Sequence, residues 1–223
     1  MSDRLVEVLS ADLHSGWDSR SKRPSPWSRA VLGCAVAAGL VVVGAGPASA
    51  DRAEWTDAAG DMTGITESSD GVDMAPAPDH HAGDVTSIVV RHGRHAVTVK
   101  VSFAQLRRSH FNAFVGKLRT DTAARHFYVE DEVDVRPRLY MVNKRFRPVC
   151  GGATLDVDYQ ANTLAVRVPR TCLKRPDWVR AAAMSANDNG DGSNTYYLDD
   201  AFSPSPVDAS EGRRTWSARV YRR

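Results

Sequence analysis

Cysteine is scarce in this sequence, with three residues in 223, too few for a disulfide-dense miniprotein. Long apolar runs are scarcer: one exists, at residues 30–46, which excludes a multi-span membrane protein. The 16 glycines and 11 prolines follow no period, which excludes a collagen-like chain. Charge is balanced at +2 with 42% hydrophobic residues, so the chain is neither wholly disordered nor a coiled coil. Catalytic signatures are missing too. There is no Gly-x-Ser-x-Gly, no His-Glu-x-x-His and no phosphate-binding glycine loop, which leaves enzyme status open and favours a protein that is not one.

What is there begins with an address. Arg20, Lys22, Arg23 and Arg29 precede the run AVLGCAVAAGLVVVGAG, and Pro47-Ala48-Ser49-Ala50 follows it. Basic, apolar and small residues in that order are those of a secretory signal, so residues 1–50 are expected to be a signal peptide cleaved after Ala50. An uncleaved anchor is the competing reading, since 17 residues is near the lower limit for crossing a bilayer. Removing the leader leaves 173 residues, a net charge of +1 and two cysteines, Cys150 and Cys172. An even pair in an exported chain is expected to form one disulfide.

Two segments follow. Residues 51–83 form an acidic, extended or loop-like opening segment, with Arg52 as its one basic side chain. Residues 84–223 form the domain. Val97, Val99, Val101 and Phe103 alternate with Thr98, Lys100 and Ser102, a period-two pattern with one face buried. A second hairpin joins 153–159 to 163–168, and a pairing sum of 323 sets Leu155 opposite Val168 with the cysteines at its open end. Further strands are expected at 113–119, 126–129, 139–142, 178–184 and 216–221, nine in all with 84–90. Helical turns are expected only near 104–108 and after Pro169. The predicted fold is all-β, an antiparallel β-sandwich with one disulfide.

Several motifs carry a resemblance: Asp57-Ala58-Ala59-Gly60-Asp61, Gly83-Asp84-Val85, Val168-Pro169-Arg170-Thr171-Cys172-Leu173, Pro176-Asp177-Trp178-Val179 and Tyr197-Leu198-Asp199-Asp200-Ala201. In these the chain resembles uncharacterised secreted proteins of high-GC Gram-positive bacteria. Their sandwich is similar to DOMON-like domains and family 9 carbohydrate-binding modules. The resemblance implies a β-sandwich and a carbohydrate ligand, although the exposed aromatic pair used by such modules is not identifiable here.

Four constellations carry chemistry. Asp57, Asp61, Asp199 and Asp200 come from the two ends of the domain and form a candidate Ca²⁺ site if they meet, because Ca²⁺ takes six to eight hard oxygen donors; solvated loop acids are the alternative. Asn187-x-Asn189-x-Asp191-Gly192 copies the start of a calcium loop, but Leu198 stands where its bidentate Glu belongs. Asp79-His80-His81 with His92 or His95 is a candidate transition-metal set, against a plain polar linker. Arg107, Arg108, Lys144, Arg145 and Arg147 are a candidate patch for anionic polymers, since residues 85–184 hold 18 basic and eight acidic side chains.

These observations lead to a secreted, extracellular, non-catalytic binding or interaction module, stabilised by Ca²⁺ at the acidic set. The expected partner is an extracellular polysaccharide or cell-wall polymer. Nucleic acid is not expected as a partner, nor a membrane after signal cleavage, and the chain is expected to be a monomer. The alternative is a small extracellular hydrolase using the same carboxylates.

Overall fold

The computed structural model describes residues 51–69, 71–108, 111–188, 193–202 and 216–222. The leader with its cut after Ala50, and Asn189–Gly192 of the calcium-loop motif, lie outside the described residues. The described ones belong to one compact unit. Its first seven strands are β1 (Arg52–Thr56), β2 (Thr63–Ser68), β3 (Gly71–Pro76), β4 (Val85–His92), β5 (Ala96–Phe103), β6 (Phe111–Thr120) and β7 (Ala124–Asp131). The others are β8 (Arg138–Val142), β9 (Thr154–Asp158), β10 (Thr163–Pro169), β11 (Trp178–Asp188), β12 (Thr195–Asp200) and β13 (Val220–Tyr221). Helix is confined, among the described residues, to one 3-10 turn at Arg170–Leu173, after Pro169.

The strands form two packed antiparallel sheets. The smaller has the order β1-β4-β5-β10-β9; the larger has the order β3-β2-β12-β11-β6-β7-β8, with β13 also on β11. The core is what the alternation in β5 demands. Val97, Val99 and Val101 are at most 1% exposed, and Leu164, Val166 and Val168 of β10 join them from the same sheet. Phe114, Leu118, Phe127, Ala181 and Ala183 face them from the larger sheet. At Gly116, directly opposite Phe127, an added Cβ would lie 2.0 Å from the phenyl ring. The missing side chain is the space that ring occupies.

Four strands lie outside the sequence expectation. Three are in the opening segment: β1 pairs with β4, β2 with β12 and β3 with β2. The opening segment thus gives β1 to the smaller sheet and β2 and β3 to the larger. The fourth, β12, follows the expected Asn187–Asn194 loop, and Asn187 itself is a buried residue of β11. Residues 104–108 form no helical turn, because Gln105 makes a parallel bridge with Ala82. At 216–221 only Val220–Tyr221 is strand.

The β9–β10 hairpin sets Leu155 opposite Val166 and Val157 opposite Leu164, a pairing sum of 321 in place of 323. The shift is even, so each residue keeps its face. Its cause is a longer turn: Asp158 Oδ1 accepts the Gln160 and Ala161 amides, and Asn162 sits at φ 51°. The disulfide joins Cys150 to Cys172 with a Cα–Cα distance of 5.6 Å. It pins the crossing from β8 in the larger sheet to β9 in the smaller one, and agrees with an oxidising environment. No described helix is long and apolar enough to cross a membrane.

Candidate acidic site

One end of the sandwich gathers the carboxylates. The chain leaves β1 in the smaller sheet and crosses to β2 in the larger one through Asp57–Asp61. Asp57 starts the crossing by donating its amide to the Thr86 carbonyl at 3.0 Å. Gly60 takes φ 83°, which glycine adopts without strain, and its amide donates to Asp84 Oδ2 at 2.9 Å. Gly83, at φ 80°, packs so closely on Asn187 that an added Cβ would lie 3.1 Å from the Asn187 Cβ. That turn carries Asp84 into the gap between the sheets at the start of β4. Asp199 reaches the same place from β12, where its Oδ2 accepts the Val85 amide at 2.6 Å.

Asp57, Asp61 and Asp199 each present an oxygen within 4.8 Å of the others. Asp200 stands one position further, opposite Met184, with its Oδ1 accepting the Phe202 amide; it adds negative charge to Asp57 and Asp61 from there. Asp84 also acts on the group: its charge bears on all three members, and it is 0% exposed. Asp84 Oδ1, Asp57 Oδ2 and both Asp61 oxygens are buried without a hydrogen-bond partner.

Crowding and burial raise the proton affinity of these groups. Asp57 is pushed up to about 7 by burial and then by the Asp61 charge. Asp199 is pushed up to about 8, again by burial first and then by the charges of Asp57 and Asp61. Asp61 is raised by burial and by Asp84. In Asp84 burial outweighs the opposing pull of the Gly60 amide and of His81, whose Nδ1 lies 3.8 Å from Asp84 Oδ2. Among the described residues no Lys or Arg ion-pairs with the group.

A buried polar chain runs beside it. Tyr159 donates to Asp131 Oδ1 at 2.7 Å, Asn112 donates to Asp131 Oδ2, and Asn187 donates to Asn112 Oδ1 at 2.8 Å. His80 Nε2 meets Asn187 Oδ1 at 2.9 Å, and its ring stacks on Tyr197 with centroids 3.5 Å apart. Asn187 is therefore committed to this network. The two histidine candidates from the next turn are elsewhere: His92 is buried at the opposite end, where its Nδ1 meets the Val220 carbonyl, and His95 is exposed in the adjoining turn. The basic set also divides, with Arg107 and Arg108 between β5 and β6 at the acidic end and Lys144, Arg145 and Arg147 after β8 at the other.

Sequence reading missed Asp84 and the Tyr159–Asp131–Asn112–Asn187 chain. Asp84 had one visible signal, a glycine and an acid together where the polar segment gives way to alternating valines. The polar chain had none, because its members come from four separate strands and turns. No protein-family model, curated protein or solved structure matches the chain.

Proposed function

We propose that the protein is an exported, non-catalytic binding module whose acidic end takes up Ca²⁺. The observation that carries this reading is Asp84: a carboxylate with no exposed surface whose Oδ1 has no partner, beside three carboxylates that converge within 4.8 Å. Like charges so placed cannot all ionise without a cation. Ca²⁺ suits the donors, because hard oxygens at flexible geometry are its ligands, and backbone carbonyls and water complete its shell. The ion would join the β1–β2 crossing, β4 and β12, and so fasten the polar opening segment to both sheets. Export supports the reading as well, since extracellular modules bind Ca²⁺ at about 0.1–1 mM. The disulfide supports export.

The module reading is favoured over the hydrolase because Asp84 and Asp199 are sealed beneath backbone donors, whereas a general acid and its partner face a substrate cleft. The likeness to DOMON-like and family 9 carbohydrate-binding domains is part of the same proposal. Calorimetric titration of Ca²⁺ into the chelator-treated protein tests it. One site is expected, with protons released on binding and with no heat for Asp84→Asn. A wild type that gives no heat up to 10 mM Ca²⁺ would refute it.

A further inference from the structure

At the opposite end, the outer face of the larger sheet carries a second arrangement. Arg119 of β6 lies directly opposite Arg180 of β11, and Trp178 of β11 lies directly opposite Tyr221 of β13. Their neighbours Leu118, Val179 and Val220 are buried in the core, so alternation turns these four side chains outward. Arg219, beside Val220, sets its guanidinium 4.5 Å from the centre of the Trp178 ring. Arg119 and Arg219 are exposed, and Tyr221 is 47% exposed.

Like charges opposed on neighbouring strands destabilise a sheet. Among the described residues no carboxylate ion-pairs with Arg119, Arg180 or Arg219. Arg180 Nε donates to the Ser217 carbonyl at 2.8 Å, which fixes its direction without reducing its charge. Beside this face the Asp121 carboxylate accepts the Asp177 backbone amide at 3.3 Å. The strands therefore hold three arginines and two aromatic rings on one rigid face, at a cost that a bound anion would offset.

We propose that this face binds an anionic polysaccharide, with the guanidinium forks on its carboxylates or sulfates and the Tyr221 ring against a sugar face. A guanidinium matches a planar carboxylate through two parallel hydrogen bonds, and rings held by strands offer sugars a flat apolar surface. The surface is separate from the acidic site, so its test is run in EDTA and is independent of the metal reading.

The probe is polygalacturonate, titrated into the oxidised protein with tryptophan fluorescence as the readout, with neutral dextran as the control. Binding is expected to weaken as salt rises and to be absent for dextran. Arg119→Ala with Arg219→Ala is expected to weaken it at least tenfold, Tyr221→Ala severalfold, and Arg167→Ala on the smaller sheet not at all. Melting curves verify that each variant folds. No binding by the wild type, equal loss in Arg167→Ala, or tighter binding of single-stranded DNA than of polygalacturonate would each overturn the proposal.

Discussion

The two ends of this sandwich handle buried charge in opposite ways. At the basic end Arg170 is 8% exposed, and its guanidinium donates to the Arg94 and Pro176 carbonyls. Carbonyl oxygens hold its two terminal nitrogens while its Nε is buried without a hydrogen-bond partner, and the Cys150–Cys172 bond lies beside it. At the acidic end four carboxylates share a gap with three backbone amides and one distant imidazole. Burial is tolerable where each charge has its own donors or acceptors. It is conditional where like charges share a site. One end is therefore closed covalently under all non-reducing conditions, whereas the other depends on protons or a cation.

Breaking the covalent end should have the largest effect. The bond spans 22 residues, and Cys172→Ser is expected to destabilise by roughly 3 kcal/mol. Denaturant melts should find that loss the same with Ca²⁺ and with EDTA. A loss that Ca²⁺ abolished would mean the two ends are not independent.

Next in size is the cation. Ca²⁺ at 100 times its dissociation constant should stabilise by about 2.7 kcal/mol, or roughly 5–10 °C in a domain of this size. Asp199→Asn should remove that rise and, in EDTA, melt a few degrees above wild type, because it relieves repulsion while its amide oxygen still accepts from Val85. The reversal of sign between the two conditions separates a metal site from a merely structural aspartate. Calorimetry of both proteins in both buffers reads it.

Gly116→Ala tests the region between the ends. An added methyl cannot coexist with the Phe127 ring, and a loss of about 1–3 kcal/mol is expected, unaffected by Ca²⁺ or pH.

The acidic end is tested again by pH, read on the metal-free protein. Asp57 and Asp199 bind protons more tightly folded than unfolded, so their stabilisation is complete below about pH 4. It is lost as pH rises through about 7 and about 8. Melting temperature in EDTA should fall from pH 5 to pH 8.5, and Ca²⁺ should flatten that slope. His92, held below its usual value by burial, acts in the opposite sense, adding stability as pH rises towards about 6.5. Asp199→Asn should make the fall shallower, leaving the Asp57 and His92 contributions. If both proteins show the same slope, Asp199 is not part of a proton-holding group.

The strands that could be read from the sequence are those whose own residues alternate. AVTVKVSF buries every second side chain from Val97 to Phe103, whereas in DVTSIVV a register shift between Val85 and Ser87 interrupts the alternation that Ile88 and Val90 resume. By contrast, GVDMAP of β3 is exposed at all six positions, and TGITES of β2 carries too few apolar residues to signal a strand. These become strands because a neighbour offers unpaired amides and carbonyls. TYYLDD of β12 is extended for the same reason, placed between β2 and β11.

The sequence by itself determined the all-β class, the core faces of β5, β9 and β10, and the disulfide partners. Each of these depends on local alternation or on the parity of two cysteines, quantities carried by neighbouring residues or by composition. Only the tertiary structure decided that Asp84 stands with Asp57, Asp61 and Asp199, that the two arginine sets separate, and that Arg119 faces Arg180. Asp84 meets partners 23 to 115 positions away and Arg119 one 61 positions away, and these encounters follow from strand order and register. An isolated stretch of sequence carries neither, because a strand's hydrogen bonds are completed by a partner elsewhere in the chain.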